Sequence, residues 1–157
     1  MREITVSEIY KLTDPAYTSM PESTALDEMA RVFAHEHHLR AIFLVDSNDR
    51  FSVIIRRIDL MRWLYLQLFG RVGGEVPSPY DTQHLAFVKE ARDLARGDSV
   101  SMGVKPSNSL QTALDKMITH GESIIPVLDD EHKILGDIRA SSVLTKALEV
   151  WEQEKKP

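Results

Sequence analysis

The sequence repeats itself at an offset of 83 residues, and this repeat limits the possible folds more than any other feature. Residues 41–60 align with residues 124–143 without a gap, so that Arg56 falls on Arg139. A repeat of this kind is typical of one supersecondary unit built twice, in which neither copy buries its apolar face alone. We therefore expect two related halves that pack as one unit.

Each half predicts the same order of elements. Apolar spacing and polar turns indicate an extended stretch, a helix, two short strands and a closing helix. In the first half these elements are Tyr17–Met20, Thr24–His38, Ala41–Val45, Phe51–Ile55 and Ile58–Phe69. In the second half they are Val100–Val104, Asn108–His120, Ile124–Leu128, Ile134–Ile138 and Ser141–Glu152. Short helical signals precede them at Val6–Leu12 and Leu85–Ala95, and the predicted helix caps are Ser23 or Thr24 and Asn108 or Ser109. The predicted fold class is therefore α/β, with two pseudo-symmetric halves.

Composition excludes several classes of protein. The chain has 157 residues, 43% hydrophobic and 27% charged, which is ordinary globular composition. Its net charge of −5 argues against a general nucleic-acid binder, which usually carries basic excess. It contains no cysteine, so disulfides and thiolate metal sites are excluded, and it shows neither a signal peptide nor a membrane span. We expect a cytoplasmic protein.

The predicted boundaries follow from the repeat and from one Gly- and Pro-rich segment. Residues 1–69 form the first repeat, 70–83 the connecting loop, 84–152 the second repeat and 153–157 a solvated, frayed tail.

The repeat resembles a known family, the CBS-domain pair or Bateman module, named for cystathionine β-synthase. The resemblance is carried in the second half by Pro106–Met117, Ile125–Asp129 and Ile134–Ile138, and in the first half by Phe43–Asp46 and Ile54–Leu60. It implies β-α-β-β-α repeats packed side by side, with clefts between them that bind AMP, ADP, ATP or S-adenosylmethionine. It also implies a flat homodimer, no resident cofactor and a regulatory function without catalysis.

The resemblance places a ribose-binding aspartate at Asp59, where the second repeat has Ser142. The family's Thr or Ser three residues earlier is replaced by Arg56 and Arg139. A guanidinium is a bidentate partner for phosphate or carboxylate, so both arginines are candidate anion ligands. The alternative is internal pairing, with Asp59 for the first arginine and Asp137 or Glu131 for the second.

The resemblance implies further ligand contacts in the upstream extended stretch and at the start of the central strand of each repeat. The candidates are Tyr17, Thr18, Ala41, Val100, Ser101 and Ile124. An aromatic ring at Tyr17 could stack on a base, although a core or surface position is the commoner use of such a residue.

The helix Asp59–Phe69 is apolar around most of its circumference, which indicates burial on more than one side. It either packs within the chain or forms a homodimer interface, for which the candidates are Trp63, Leu64, Leu68 and Trp151. His35 and His38 stand one turn apart and could chelate a metal, but a solvated helix end is the favoured explanation, and we expect no metal site. No catalytic motif is present. The predicted function is a ligand-sensing regulatory module; the alternative is a dimerisation or interaction module that has lost nucleotide binding.

Overall fold

A computed structural model of the chain describes residues 3–10, 14–70, 91–94 and 99–156. The chain divides into two compact units. The first unit is Ala16–Ser99, and the second unit combines Met1–Pro15 with Val100–Pro157. The second unit is therefore built from both ends of the chain.

The described residues of the first unit form a three-stranded sheet and two helices. Its elements are β1 (Tyr17–Pro21), α1 (Leu26–His35), β2 (Ala41–Val45), β3 (Phe51–Arg56) and α2 (Arg57–Phe69). The strand order is β1-β2-β3, with β1 parallel and β3 antiparallel to the central strand. A short 3₁₀ turn, Ala91–Leu94, contacts β3.

The core of the first unit forms where α1 and α2 cover one face of this sheet. α1 buries Leu26, Met29 and Phe33, whose spacing of three and four residues puts them on one helical face. They meet alternate residues of the central strand, Ile42 and Leu44, which are completely buried. Full burial of a side chain of this size stabilises the fold by about 1.5–3 kcal/mol. This cluster includes residues at the end of β3 and at the start of α2, where the candidate site lies.

The second unit repeats the pattern with a smaller sheet. Its elements are α3 (Leu110–His120), β4 (Ile124–Leu128), β5 (Ile134–Arg139) and α4 (Ala140–Lys155). β4 and β5 are antiparallel, and Val104 adds a single parallel bridge to Val127. The helix α3 begins at an N-cap serine, Ser109, whose hydroxyl accepts a hydrogen bond from the Thr112 N–H at 3.1 Å.

The N-terminal segment belongs to the second unit by its hydrogen bonds. The Val6 N–H donates to the Asn108 carbonyl at 2.8 Å, and the Leu110 N–H donates to the Ile4 carbonyl at 2.7 Å. Val6 and Ile9 are fully buried there. The compact units are thus divided at other residues than the predicted repeat boundaries at 69 and 84. Those boundaries describe the repeat in the sequence and stay a prediction.

The structure confirms the four predicted central strands to within one residue and corrects several helix ends. The first helix is shorter than predicted and begins after Ala25, because Thr24 donates its hydroxyl to the Pro21 carbonyl instead of capping the helix. The last helix continues to Lys155, so the predicted frayed tail is largely helical, although it is exposed.

Two predicted upstream elements also differ. The stretch predicted to be extended at Val100–Val104 is a 3₁₀ turn over Ser99–Met102, and only Val104 pairs with a strand. The helical signal at Val6–Leu12 is a 3₁₀ turn over Val6–Glu8. The second helical signal, at Leu85–Ala95, lies largely outside the described residues, as does the predicted connecting loop beyond residue 70.

Candidate functional site

The candidate site lies where β3 of the first unit runs directly into α2. Arg56 is the N-cap residue of α2, and Asp59 is its third helical residue. The Asp59 carboxylate accepts a hydrogen bond from the Arg56 backbone N–H at 2.9 Å, and two more from its guanidinium at 3.3 Å each. A carboxylate in this position satisfies an N–H group that the helix leaves open and complements the helix dipole.

The arginine of this pair is partly exposed, and the aspartate is buried. The Arg56 side chain is 34% exposed, whereas the Asp59 side chain is 7% exposed. The internal pairing considered for the first arginine is therefore what the structure contains. The guanidinium occupies one acceptor site on each of the two carboxylate oxygens.

Three of the sequence-predicted residues form one row across the end of the first sheet. Tyr17 pairs with Ala41, and Ala41 pairs with Arg56. Thr18 stands next in the same register, opposite Ile42. Residues that are distant in sequence therefore lie side by side at the end of the sheet where β3 continues into α2, the helix that carries Asp59.

The members of this row differ in what they can offer a ligand. Ala41 is fully buried, while Tyr17 and Thr18 are half-buried. The Tyr17 ring stacks on Phe43, with centroids 4.7 Å apart and planes inclined by 21°. Tyr17 therefore already has an aromatic partner inside the unit, as the core alternative for this residue predicted.

The corresponding arginine of the second unit is also internally paired. Arg139 Nε lies 3.2 Å from an Asp137 carboxylate oxygen, with the two side chains 18% and 3% exposed. Arg139 also donates to the Asp14 carbonyl. Of the two acids considered as partners, Asp137 is the one in contact, since Glu131 instead faces Lys133 at 3.4 Å.

The remaining predicted residues of the second unit are more scattered. Ser142 is half-buried at the third position of α4, matching the position of Asp59 in α2. Ile124 is buried and pairs with Arg139, as Ala41 does with Arg56. Ser101 is exposed, and the Val100 side chain lies outside the described part of the chain.

Two cations that the sequence did not single out hold the segments around these residues. Lys116 donates its ammonium to the carbonyls of Ser101 and Gly103 at 2.8 and 2.7 Å, and burial lowers the pKa of this amine. Arg57 donates to four carbonyls at the end of α1, those of residues 33, 36, 37 and 39. Neither has a local sequence signal, because the acceptors are backbone carbonyls far along the chain.

The four candidate interface residues fall into two groups. Trp63 packs against the core of the first unit, so part of its ring is committed within the chain. Leu64, Leu68 and Trp151 are 38%, 71% and 54% exposed. A homodimer interface at these three residues stays a prediction.

Neither a metal cluster nor a membrane-spanning helix occurs in the described ranges. No group of three or more His, Cys, Asp or Glu side chains there is arranged to hold a metal ion. His35 and His38 are exposed at and just beyond the end of α1. None of the described helices combines the length and the apolar character that crossing a membrane requires.

One protein-family model matches the sequence of the second half of the chain. Residues 99–149 match the family model of the CBS domain. No curated protein sequence matches the chain.

Solved structures match nearly the whole chain. A CBS-domain protein from Thermotoga maritima is 20% identical, with a TM-score of 0.71 over 99% of this chain and all of that one. A CBS-domain protein from Pyrobaculum aerophilum, complexed with AMP, is 16% identical, with a TM-score of 0.64 over 91% and 97% of the two chains. A CBS-domain pair in complex with 5′-methylthioadenosine and S-adenosylmethionine is 16% identical, with a TM-score of 0.61 over 94% and 97%. The chain therefore has the α/β fold of these structures, and its residues 99–149 match the CBS domain.

Proposed function

We propose that this chain is a regulatory module that binds an adenosine-containing ligand at the Arg56–Asp59 end of the first unit. The observation that carries the proposal is the row Tyr17–Ala41–Arg56, which ends at a carboxylate in the first turn of α2. Solved CBS-domain structures with AMP and with S-adenosylmethionine support the ligand class. We assign the module to the cytoplasm, without a resident cofactor and without catalysis.

The proposed binding step is an exchange of partners. The Asp59 carboxylate releases the Arg56 guanidinium and accepts hydrogen bonds from the two vicinal ribose hydroxyls. The released guanidinium then pairs with the anionic part of the ligand, a phosphate in AMP, ADP or ATP and a carboxylate in S-adenosylmethionine. The desolvation cost of separating the pair is offset because both groups gain charge-assisted partners.

Regulation follows if the ligand favours one arrangement of the chain over another. A ligand shifts such an equilibrium only by its difference in affinity for the two states. We propose that the shift is passed on through a homodimer or a separate target protein.

Thermal unfolding and calorimetric titration with AMP, ADP, ATP and S-adenosylmethionine test this function. A ligand at about 100 times its dissociation constant adds about 2.7 kcal/mol of stability, which corresponds to roughly 5–10 °C for a chain of this size. Asp59→Asn should weaken binding at least about tenfold, since the amide loses one acceptor and the charge. Asp27→Asn is the matched control, because Asp27 forms an exposed ion pair with Arg31 in the same unit.

A second variant tests the exchange itself. Arg56→Gln should bind adenosine more tightly than the unmodified chain, because the competitor for Asp59 has been removed. The same variant should bind AMP more weakly relative to adenosine, because the phosphate has lost its partner. If Arg56→Gln changes both affinities equally, partner exchange is wrong even if a nucleotide binds.

The alternative function is a dimerisation module without a nucleotide site. The observation that favours it is the low exposure of Asp59, whose carboxylate already has a guanidinium partner. Absence of any ligand-dependent shift, together with persistent self-association, would support this alternative.

A further inference from the structure

The partners of Lys116 differ in kind from those of three other lysines that the structure describes. Lys116 lies on α3, and its amine donates to the carbonyls of Ser101 and Gly103 at 2.8 and 2.7 Å. The three other lysines face carboxylates, in the pairs Lys105–Asp130, Lys133–Glu131 and Lys146–Glu149. The two acceptors of Lys116 are neutral, so its contacts can be made without a positive charge.

The two carbonyls match the neutral form of this amine. An ammonium has three N–H donors, whereas a neutral amine has two N–H donors and one lone pair. Lys116 can therefore lose a proton and keep both hydrogen bonds, which leaves its lone pair for an electrophile. A lysine that faces a carboxylate loses its ion pair when it loses the proton. Burial favours deprotonation of Lys116, because it lowers the pKa of this amine.

The amine of Lys116 is also within reach of a reagent. The residue is half-buried, and its hydrogen bond to the Ser101 carbonyl is exposed, while the one to the Gly103 carbonyl is partly buried. Partial desolvation is one of the ways in which proteins activate a lysine as a nucleophile. Lys116 thus meets two requirements of a nucleophilic lysine, an available lone pair and access from solvent.

We propose that Lys116 is a modification site that accepts an acyl group from an activated donor, an acyl thioester or an acyl phosphate. The amine nitrogen attacks the carbonyl carbon of the donor, an N–C amide bond forms, and the C–S or C–O bond breaks. The thiolate or phosphate leaves with the electron pair, and the proton of the amine goes to solvent. This site is separate from the ligand site proposed at Arg56 and Asp59 and does not depend on it.

Acylation of Lys116 weakens the attachment of residues 101–103, which we call the 101–103 segment. The product amide is neutral and has one N–H, so it can donate to only one of the two carbonyls. The segment runs close against β4, since a Cβ at Gly103 would clash with the Leu128 side chain. It ends at Val104, whose N–H donates to the Pro126 carbonyl at 3.0 Å. Loss of a carbonyl contact should therefore loosen the segment and speed hydrogen exchange of the Val104 amide.

Acetylation of the folded chain tests the modification site. The chain is incubated at neutral pH with acetyl phosphate and, separately, with acetyl coenzyme A, and peptide mass spectrometry follows each lysine over time. Lys116 should react at least about threefold faster than Lys133, the matched control that faces Glu131 in the same unit. Faster reaction with either reagent supports the site and identifies the class of donor. An equal or slower rate at Lys116 with both reagents would overturn the proposal.

Amide hydrogen exchange tests the loosening of the 101–103 segment. The Val104 N–H should exchange at least about tenfold faster in the acetylated chain and in Lys116→Gln, whose side chain is a neutral amide. Lys116→Arg keeps the charge and several donors, so its exchange should stay within about twofold of the unmodified chain. Lys133→Gln should leave the Val104 amide unchanged and controls for loss of a positive charge elsewhere in the unit.

Unchanged exchange at Val104 in both the acetylated chain and Lys116→Gln would show that the contacts of Lys116 do not hold this segment, which contradicts the proposed consequence. Circular dichroism confirms that each variant is folded. The acetylated chain supplies the same measurement without a substitution, so the test stands even if Lys116→Gln does not fold.

Discussion

Replacement of Arg57 should destabilise the first unit far more than its half-buried position suggests. Its guanidinium donates to the Phe33 carbonyl at 2.6 Å and to the Leu39 carbonyl at 2.9 Å, and both contacts are partly buried. It donates to two exposed carbonyls as well, and its Cζ lies 5.0 Å from the centre of the Phe33 ring. A cation at this place also complements the negative end of the α1 dipole.

The magnitude follows from the partly buried contacts. Two charge-assisted hydrogen bonds at about 1.5 kcal/mol each, with about 0.5–1 kcal/mol for the cation–π contact, give about 3–4 kcal/mol for Arg57→Gln. In the variant, the two exposed carbonyls can bond to water instead, so their contacts add little to the loss of stability. At about 2–4 °C per kcal/mol, the midpoint of thermal unfolding should fall by roughly 10 °C.

The assay is urea unfolding followed by circular dichroism, with two reference variants. Arg57→Lys keeps the charge but not the planar set of donors, so it should lose a substantial part of the same stability. Arg31→Gln removes an exposed arginine that bonds Asp27 at 2.7 Å, and should cost about 0.3–0.5 kcal/mol. If Arg57→Gln lies within 1 kcal/mol of Arg31→Gln, the carbonyl contacts of Arg57 contribute little and the reasoning is wrong.

Two further predictions concern local hydrogen bonds. Ser109→Ala should lower the free energy of unfolding by about 1 kcal/mol, because the Thr112 N–H loses its capping acceptor; an unchanged urea midpoint would contradict this. The Arg50 and Asn48 N–H groups donate to the Asp46 carboxylate and lower its pKa, so this carboxylate stabilises the fold above its unfolded pKa. That contribution is lost as the pH falls through the lower folded pKa, and an NMR titration of the side-chain carbon that finds an ordinary pKa for Asp46 would refute it.

The parts of the fold that could be predicted are those with a local physical signal. Ala41–Val45 and Ile124–Leu128 are short apolar runs bounded by polar turns, and the structure has strands at those residues. The buried face of α1 could be predicted because its apolar residues recur at intervals of three and four residues. Ser109 could be predicted as a cap because it comes directly before the helix in sequence.

The parts that could not be predicted depend on contacts between distant residues. The bond from the Val6 N–H to the Asn108 carbonyl joins positions about a hundred residues apart, so no window of sequence reveals it. Pairing of the Arg139 guanidinium with Asp137 was one of two choices, and only the fold shows which acid is near. The exposed side of α2 could not be predicted either. Apolar residues surround most of that helix, so their periodicity does not distinguish the buried face from the exposed face.

Because the second unit combines residues from either side of the first unit, its assembly cannot be completed until residues 100–157 have been synthesised. Residues 16–99 emerge from the ribosome as a continuous stretch and can fold as soon as they are made. Val6 and Ile9 are synthesised before the first unit, yet they are buried in a unit whose remaining residues are synthesised after it. Until then these two apolar side chains have no native partner, and a nascent chain that stalls before residue 100 leaves them open to chaperones and to other chains.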